Sequence, residues 1–465
     1  MSATPLASAV LRTRSDGSVA ERYARSAAAA EGVAMRTADV PAWLEERRRT
    51  HAFRVRRIPF AALRDWHFAP DTGNLRHSSG RFFTVEGLDA TVVTDDRATH
   101  WQQPVIRQPE VGILGLLVKE FDGVPHFLMQ AKMEPGNPNL VQLSPTVQAT
   151  RSNYTGAHRG TAVRHIEHFV THGTGRIVAD SLQSEHGSWF YRKSNRNMVV
   201  ETDAEVEHSD DFRWLTLGQI TKLLTYDGVV NMDTRTVLST LPYAHADNRA
   251  HRTDTELLSW FTAQRSRHTV TALRIPLDDV TGWTRDDHTV VHDDGRYFKV
   301  VAVSAEAANR EVTGWTQPLF EPVSPGVAAF VLRHLDGVPH VLVHARVEGG
   351  FLDTVEMGPT VQYTPVNYAH LPAGDRPPFL DLVLGAAPDR IRYEAVHSEE
   401  GGRFLNAESR YLVVEADETQ APLDPPPGYQ WVTPAQLTTL VRHGHYLNVQ
   451  ARTLLACLPA AGLTA

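Results

Sequence analysis

The stretch DGVPH at residues 122–126 occurs again, unchanged, at residues 336–340, which is 214 positions later (336 − 122). In each copy it connects two apolar runs, and the first of these is 111–118 (VGILGLLV) in one copy and 327–332 in the other. An Asp-Gly pair between apolar runs is a strong signal of a β-hairpin, and a run that is apolar on both faces is typical of a buried strand. The sequence therefore predicts the same buried hairpin twice.

The repetition extends over most of the chain. Trp43 recurs as Trp260, 217 positions later (260 − 43), and the tetrapeptide PTVQ at 145–148 recurs at 359–362. Two short insertions or deletions align the copies, and repetition at a fixed long spacing is the signature of duplicated structural units. The predicted organisation is a flexible N-terminal segment at 1–38, module one at 39–242, a polar linker at 243–254 and module two at 255–460.

Each module is predicted to combine strands with helices, so the expected fold class is α+β. Asn231 and Asn448 are predicted to cap the last helix of each module, because Asn is a preferred N-cap residue. Other helix starts are indicated by Asp39 followed by Pro41, Thr216 with Gln219, Thr253 with Glu256, and Thr433 with Gln436.

Composition argues against several classes of protein. The 465 residues are 42% hydrophobic and 22% charged, with a formal net charge of −8, so each module can bury a core and no basic footprint for nucleic acid is present. The single cysteine, Cys457, lies in an apolar helical pattern and is interpreted as core filling. No run of eighteen apolar residues and no signal-peptide pattern occur. We expect a soluble, cytoplasmic protein that binds neither nucleic acid nor membrane.

Common catalytic signatures are missing from the sequence. There is no Walker loop, no Gly-x-Gly-x-x-Gly, no nucleophile elbow, no Cys-x-x-Cys and no His-Glu-x-x-His. His165, His168 and His172 have a spacing that could place them on one helical face, as metal ligands would require. Module two has apolar residues at the corresponding positions. This asymmetry fits either a metal site present in only one copy or an exposed helix face; we favour the exposed face and predict no metal site.

Polar residues recur beside the predicted strands in two clusters. The first is QLSPTVQATRSNY at 142–154, copied at 356–368, and the second is QSEHGSWFYRKSNRN at 183–197, matched at 397–404. Core packing accounts for repeated Val, Phe and Leu, but not for repeated Thr, Gln, Asn and Glu. A solvated strand face would explain any one of these residues. Together, the two clusters favour a binding site.

From Trp43 onward the chain resembles the NDP-hexose 2,3-dehydratase family, and the strings that carry the resemblance are QLSPTVQATRSNY, QSEHGSWF, KSNRN, GPTVQ and SEEGGRF. The resemblance implies two tandem Nudix-like modules, each a mixed sheet with flanking helices, that arose by internal duplication. Neither copy contains the Nudix box Gly-x5-Glu-x7-Arg-Glu-x2-Glu-Glu, so the carboxylates that hold magnesium for Nudix hydrolysis are not evident.

The resemblance also implies the reaction. A dTDP-4-keto-6-deoxy-D-glucose substrate loses its C3 proton to a base, the C2 hydroxyl leaves as water, and the enol becomes a 3,4-diketo-2,6-dideoxy sugar for the glycosylation of natural products. No hydride moves, so we expect no cofactor. A downstream 3-ketoreductase is expected to consume the unstable product, and family analogy implies a homodimer.

Catalytic roles can be assigned as hypotheses. Glu185 is our first choice for base or acid, because neighbouring aromatic residues could raise its pKa by partial desolvation; a surface ion pair is the alternative. Lys132 is expected to stabilise the C4 oxyanion, with an ordinary strand-end lysine as the alternative. Tyr154 and His186 are the next acid or base candidates, each with a structural role as the alternative.

Substrate binding requires cations for the diphosphate and a platform for the base. Arg151, Lys193 and Arg196 are expected to neutralise the diphosphate. Trp66 and Trp283 are expected to stack on thymine, with core packing as the alternative. The full predicted set is Trp66, Thr146, Gln148, Thr150, Arg151, Ser152, Asn153, Lys193, Asn195, Arg196, Trp283, Arg346, Glu356, Thr360, Gln362, Glu399 and Glu400.

Two other functions stay open on the sequence alone: a nucleotide-sugar hydrolase that retains Nudix chemistry, and a non-catalytic nucleotide-sugar sensor. The two copies differ at four informative positions, which are Lys132/Arg346, Arg151/Pro365, His186/Glu400 and Lys193/Ala407. We therefore expect two nucleotide-sugar pockets, with catalysis in module one, which has the denser set of polar residues, and a remnant in module two.

Overall fold

A computed structural model describes residues 17–95, 97–151, 163–171, 175–243, 247–307 and 313–463. The strands of these residues form two seven-stranded sheets, one in each module, and two five-stranded sheets. Helices lie beside the sheets, and the predicted α+β class is confirmed.

The first twelve strands belong to module one: β1 (Arg54–Ile58), β2 (Trp66–Phe68), β3 (Leu75–His77), β4 (Thr84–Thr94), β5 (Arg97–Arg107), β6 (Gly112–Phe121), β7 (Val124–Met133), β8 (Val141–Ser144), β9 (Val147–Ala149), β10 (Arg176–Ser184), β11 (Ser194–Glu201) and β12 (Phe212–Thr216). Module two contains β13 (His268–Ile275), β14 (Trp283–Arg285), β15 (Thr289–His292), β16 (Phe298–Glu306), β17 (Gly314–Pro322), β18 (Gly326–Leu335), β19 (Val338–Arg346), β20 (Glu356–Pro359), β21 (Val361–Tyr363), β22 (Ile391–Ser398), β23 (Glu408–Glu415) and β24 (Tyr429–Val432).

The α-helices of the described residues are α1 (Ser18–Ala28), α2 (Val40–Thr50), α3 (Glu167–Val170), α4 (Leu217–Leu223), α5 (Met232–Leu238), α6 (Asp254–Arg267), α7 (Leu380–Leu384), α8 (Pro434–Leu440) and α9 (Val449–Cys457). Among them, no helix is both long and apolar enough to cross a membrane. The predicted capping boxes at Thr216, Thr253 and Thr433 and the Asn caps of α5 and α9 are confirmed.

The two large sheets have the same topology. Strands follow the order β10-β11-β6-β7-β12 in module one and β22-β23-β18-β19-β24 in module two, and the pairs β11–β6 and β18–β23 are parallel. The predicted hairpins β6–β7 and β18–β19 are confirmed. Their turns have positive φ at Asp122 (50°) and Gly123 (78°), and the same holds at Asp336 and Gly337. Positive φ at both central residues defines the hairpin turn that Asp-Gly favours.

The small sheets exchange strands between the modules. Strand β13 of module two pairs with β4 of module one from His268↔Thr94 to Ile275↔Gly87, and β1 of module one pairs with β16 of module two. Each small sheet therefore takes its first strand from the other half of the chain. The modules interlock, a feature that the sequence repeat alone did not predict.

A loop from each module also docks on the other. The β22–β23 loop of module two lies on Gly136, whose N–H donates to Gly401 O at 2.7 Å, and the β10–β11 loop of module one lies on Gly350, whose N–H donates to Gly187 O at 2.7 Å. A Cβ at Gly136 would overlap the carbonyl of Phe404, and one at Gly350 would overlap that of Phe190. Only glycine permits these approaches.

Two fully buried arginines hold the docked loops. Arg235 on α5 donates to the carbonyl oxygen of Ser398 at 2.6 Å, and Arg452 on α9 donates to that of Ser184. Both serines end the strand that leads into a docked loop. Helices α5 and α9 pack against each other, and residues of both modules share the largest apolar core, which includes Cys457 as predicted.

The N-terminal segment, which we expected to be flexible, is packed over its described part. Tyr23 of α1 is 2% exposed, Arg22 forms an ion pair with Glu201 at 2.8 Å, and the Ser26 hydroxyl donates to Pro125 O at 2.5 Å. Because Val19 and Tyr23 form a narrow apolar stripe among polar residues, composition did not reveal this helix.

We predict that the halves stay together when the connection between them is cut. With a protease site inserted between Asp247 and Asn248, the cleaved chain should elute from a size-exclusion column as one particle, because strand exchange and the shared core hold the two fragments. The same digest run in urea is the control for complete cleavage. Elution of two separately folded fragments would show that the exchanged strands do not hold the modules together.

Candidate active site

Two equivalent polar sites lie where a large sheet meets the docked loop of the other module. The module-one site comprises Lys132, Glu134, Gln148, Glu185, Lys193, Asn195 and Asp233, together with Glu400 and Arg403 from module two. The module-two site comprises Arg346, Glu348, Gln362, Glu399, Ser409 and Gln450, together with His186 and Trp189 from module one.

Adjacent residues of each docked loop face different sites. Glu185 accepts a hydrogen bond from Asn195 Nδ2 at 2.7 Å, within module one, whereas the next residue, His186, lies 2.9 Å from Glu399 Oε2 in the module-two site. In the matching loop, Glu399 accepts from Ser409 Oγ at 2.8 Å, within module two, and Glu400 joins the module-one site. Each site therefore contains one residue of the pair from its own loop and one from the other module's loop.

A hydrogen-bond network fixes Glu134 in the module-one site. This carboxylate is 3% exposed and accepts from Gln148 Nε2 at 2.6 Å, Asn137 Nδ2 at 3.2 Å and Asn231 Nδ2 at 3.4 Å. Asn231 also caps α5 as predicted, by accepting from Thr234 N at 2.9 Å. One asparagine thus connects the helix start to the site.

Two lysines bring positive charge to the same site. Lys193 is 6% exposed; its Nζ donates to Asn195 Oδ1 at 2.8 Å and to the carbonyl oxygen of Glu110. Burial lowers the pKa of Lys193. Lys132 donates from Nζ to Gln148 O at 2.7 Å. Both ammonium groups lie beside acidic side chains, where they can stabilise an oxyanion.

Two carboxyl groups of the module-one site favour the protonated form. Burial, together with the charge of Glu185, raises the pKa of Glu400 to about 7. Burial, together with the charge of Glu134, raises the pKa of Asp233 well above its usual range. A carboxyl group that keeps its proton near neutral pH can act as a general acid.

Arg403 is a module-two residue that lies at the edge of the module-one site. Its Nε donates to Gln108 Oε1 at 3.1 Å, and its guanidinium lies 4.4 Å from the ring centroid of Phe83. Charge and stacking surface are therefore combined at the edge of the site, an arrangement that suits an anionic ligand.

The module-two site surrounds a cavity of about 200 Å³. Its wall includes Arg346, whose Nε donates to Glu348 Oε1 at 3.3 Å, and the ring of Tyr363, 5.2 Å from the Arg346 guanidinium. Burial disfavours a charged His186, but the hydrogen bond to Glu399 and the negative charges of Glu399, Glu185 and Glu348 together outweigh burial and raise the pKa of His186. Ala407 and Gln450 occupy the places of Lys193 and Asp233. This site therefore has fewer groups that can donate or accept a proton.

Several predicted residues do meet in one site, while others are divided between the two. Lys132, Gln148, Glu185, Lys193 and Asn195 lie together in module one, where Glu400 joins them. Arg346, Gln362 and Glu399 lie in the module-two site. His186, which we grouped with Glu185, lies in the module-two site, because the chain turns between these two neighbours.

Three predicted binding residues have their polar groups engaged inside the fold. The Thr146 hydroxyl donates to Leu128 O at 2.5 Å, and the Thr360 hydroxyl makes the equivalent bond in module two. Glu356 is fully buried and accepts from Ser184 Oγ at 2.5 Å, across the contact between modules. These side chains join strands or modules.

Three further predicted residues belong to neither site, although two of them pack against rings that border a site: Phe83 beside Arg403, and Phe298 in the wall of the module-two cavity. Trp66 is 8% exposed with its ring 4.8 Å from that of Phe83, and Trp283 lies 4.7 Å from the Phe298 ring, so both have the surroundings of core side chains. Arg196 pairs with Asp180 on the surface.

The remaining predicted residues lie at or beyond the edge of a described segment. Thr150 is half-buried and Arg151 is exposed, directly after β9. Ser152, Asn153, Tyr154 and His172 lie outside the described residues.

Sequence reasoning missed Glu134, Asp233 and Arg403. Glu134 has a signal that we did not use, because Glu348 repeats it at the same spacing as the hairpin. Asp233 and Arg403 are replaced by Gln450 and Trp189 in the other copy, so a search for repeated residues could not find them.

A group with metal-ligand chemistry lies elsewhere, at α3. Among the described residues, His165, Glu167 and His168 have ligand atoms within 4.8 Å of one another. His165 is 6% exposed, in contrast to the exposed helix face that we expected. Its ring packs edge-on against Phe212.

Comparison with known proteins gives concordant matches. Residues 37–241 and 254–458 each match the family described as NDP-hexose 2,3-dehydratase. The chain is similar to a dTDP-4-dehydro-6-deoxy-alpha-D-glucopyranose 2,3-dehydratase of Amycolatopsis orientalis, with 63% identity over 97% of this chain and 96% of the relative. Relatives with the same name in Saccharopolyspora spinosa and Streptomyces violaceoruber are 49% and 50% identical, covering 94% and 91% of this chain and 94% and 97% of their own lengths.

The raised pKa of Asp233 predicts a pH-dependent stability difference. A carboxyl group whose folded-state pKa is raised contributes stability below its unfolded-state pKa and loses it as pH rises toward the folded-state value. Relative to wild type, Asp233→Asn should therefore become more stable as pH increases from 4 to 7, by roughly 1.4 kcal/mol per pH unit where only the unfolded state ionises. Urea midpoints measure the difference.

Asp389→Asn, at an exposed position, is the control for the effect on stability of replacing any Asp with Asn. A difference for Asp233→Asn that stays constant with pH would contradict the assignment of Asp233 as a buried, protonated acid.

Proposed function

The chain belongs to the NDP-hexose 2,3-dehydratase family, and on that premise we propose that it removes the C2 hydroxyl of dTDP-4-dehydro-6-deoxyglucose in the module-one site. The observation that carries this assignment is the cluster of the buried Glu185 and Asp233 with the half-buried Glu400 beside Lys132 and Lys193. This site combines acids, bases and cations, the groups that elimination beside a carbonyl requires.

Glu185 is the proposed base. Its Oε1 is held by Asn195, and its Oε2 is buried without a hydrogen-bond partner among the described residues, so one oxygen is positioned and the other is free for the C3 proton. The C4 carbonyl makes that proton acidic, because the negative charge moves to the C4 oxygen. The Lys132 ammonium stabilises this oxyanion.

The module-two site is proposed as a nucleotide-sugar pocket that has lost catalysis. Its cavity has Arg346 and tyrosine rings for a diphosphate and a base, but its Glu399 is engaged with His186 and Ser409. Ala407 stands where module one has the cation Lys193, and Gln450 stands where it has the acid Asp233. Binding groups are therefore retained while proton-transfer groups are fewer.

Finer features of the proposal follow from the chemistry and the family. We propose that the modules are Nudix-like, in agreement with a mixed sheet flanked by helices in each half. The 3,4-diketo product calls for a 3-ketoreductase that acts next, in deoxysugar biosynthesis for glycosylated natural products. We also propose that the protein is a homodimer and that it acts in the cytoplasm.

Glu185→Gln tests the base assignment, since an amide cannot take the C3 proton. Turnover of dTDP-4-dehydro-6-deoxyglucose should fall about 100-fold or more, and deuterium uptake at C3 in D2O should fall with it. Mass spectrometry after trapping the product with a ketoreductase measures the first, and NMR measures the second. Glu399→Gln, the equivalent change in module two, is the matched control and should keep most of the activity. If Glu185→Gln kept full turnover and full deuterium exchange at C3, Glu185 would not be the base.

Chelation separates dehydration from Nudix-type hydrolysis. Because the proposed elimination proceeds by proton transfers between side chains and substrate, turnover should be unchanged after treatment with EDTA. A hydrolase would instead release a sugar phosphate or nucleoside monophosphate in a metal-dependent reaction, and a sensor would bind dTDP without consuming the sugar. Mass spectrometry of the nucleotide products with and without EDTA distinguishes the three outcomes.

A further inference from the structure

We propose that Glu400, contributed by module two, is the general acid that protonates the departing C2 hydroxyl in the module-one site. This proposal rests on the function proposed above and adds to it a catalytic residue from the other half of the chain. The active site is then complete only when the two modules are interlocked.

The loop that carries Glu400 is fixed at both ends. Glu399 N–H donates to Ala407 O at 2.7 Å, and Phe404 N–H closes a tight turn on Glu400 O at 2.9 Å. Arg403 O accepts from Phe320 N–H at 2.9 Å, which connects the turn to β17. Gly136 N–H also donates to Gly401 O at 2.7 Å, so the backbone around Glu400 is held at several points beside the module-one site.

The Glu400 carboxyl group lies beside the acidic groups of module one. A methyl group on Gly402 would lie 3.3 Å from Glu400 Oε1 and 3.8 Å from Glu134 Oε1, which places the two oxygens on the same side of the loop. The charge of Glu185 also acts on Glu400 and favours its protonated form. A carboxylate and a carboxylic acid are thus brought together from two modules.

Glu185 and Glu400 each have one carboxyl oxygen without a hydrogen-bond partner among the described residues. In both side chains this oxygen is Oε2, and it is buried. Buried polar atoms are satisfied in most folded proteins, and these two oxygens, close to cationic side chains, are available to hydrogen-bond a ligand. In the proposed complex these partners are the C3 hydrogen at Glu185 and the C2 hydroxyl at Glu400.

The proton balance closes with these two groups. The Glu185 carboxylate takes the C3 proton, and the electron pair moves to the C4 oxygen to form the enolate. When this electron pair returns, the C2–C3 double bond forms and the C2–O bond breaks. The departing oxygen takes the Glu400 proton and leaves as water. In the ketonisation of the enol the Glu400 carboxylate takes the C3 hydroxyl proton and the Glu185 carboxylic acid gives its proton to C2, so both carboxyl groups regain their starting states.

The module-two site shows why this role belongs to one site. The residue in the place of Glu400 is His186, and its Nε2 is engaged by Glu399 at 2.9 Å. That contact also occupies the carboxylate in the place of Glu185. Acid and base are paired with each other there, whereas in module one Asn195 holds the base and leaves the acid available.

Glu400→Gln separates the acid from the base, because it leaves Glu185 in place. Turnover should fall about 100-fold or more, while deuterium uptake at C3 in D2O continues. A substrate analogue with fluorine in place of the C2 hydroxyl supplies a second readout. Fluoride leaves without needing a proton. The loss of turnover caused by Glu400→Gln should therefore be at least tenfold smaller with this analogue. The exposed Glu394→Gln is the control and should behave as wild type.

Each outcome decides the proposal, given a thermal midpoint that shows the variant is folded. Exchange without dehydration, with rescue by the fluoro analogue, supports Glu400 as the acid. Wild-type turnover overturns it, and so does an equal defect with both leaving groups, which would indicate a structural role. Failure of the proposed function is distinct, because wild-type protein would then neither exchange C3 nor form a dehydrated product.

Discussion

The reciprocal docking of one loop from each module on a glycine of the other is the contact on which both sites depend. Gly136 and Gly350 allow two backbones to approach to hydrogen-bond distance, and any side chain there would overlap a carbonyl group. Arg235 and Arg452, both fully buried, hold the strand ends that lead into these loops. A buried guanidinium loses the water that would solvate its charge, and the carbonyl oxygens at the loop ends that accept from Arg235 and Arg452 offset part of that cost.

Duplication followed by exchange explains how similar sequences form two different sites. In each module a Ser-Glu-x-Gly turn directs its glutamate into its own site and the next residue into the other site. The first copy contributes Glu185 and His186, and the second contributes Glu399 and Glu400. The difference at the second position therefore changes the chemistry of the opposite module: the module-one site has a carboxyl pair, and the module-two site has an imidazole paired with a carboxylate.

Local features of the fold could be predicted from the sequence, whereas contacts between distant segments could not. The Asp-Gly hairpins and the Asn231 cap depend on residues within a few positions, so their patterns are visible in the chain. The partner of β13 is not, because a strand's alternation says which face is buried and not which edge it joins. The site was found in part: Glu185 and Lys193 stood out as polar residues beside a strand, but Asp233 comes from a helix and Arg403 from the other module. Repetition alone did not separate binding residues from structural ones. Thr146 and Thr360 recur because the hydroxyl of each hydrogen-bonds to the backbone of neighbouring strands.

The proposed active site is built from residues of both modules. The measurement that tests it most directly is a crystal structure of the protein with dTDP-6-deoxyglucose, an analogue that lacks the 4-keto group and therefore does not react. The hexose should lie in the module-one site, with the C3 hydrogen facing Glu185 and the C2 hydroxyl within hydrogen-bond distance of Glu400. A hexose bound between Glu399 and His186, with the module-one site empty, would contradict it.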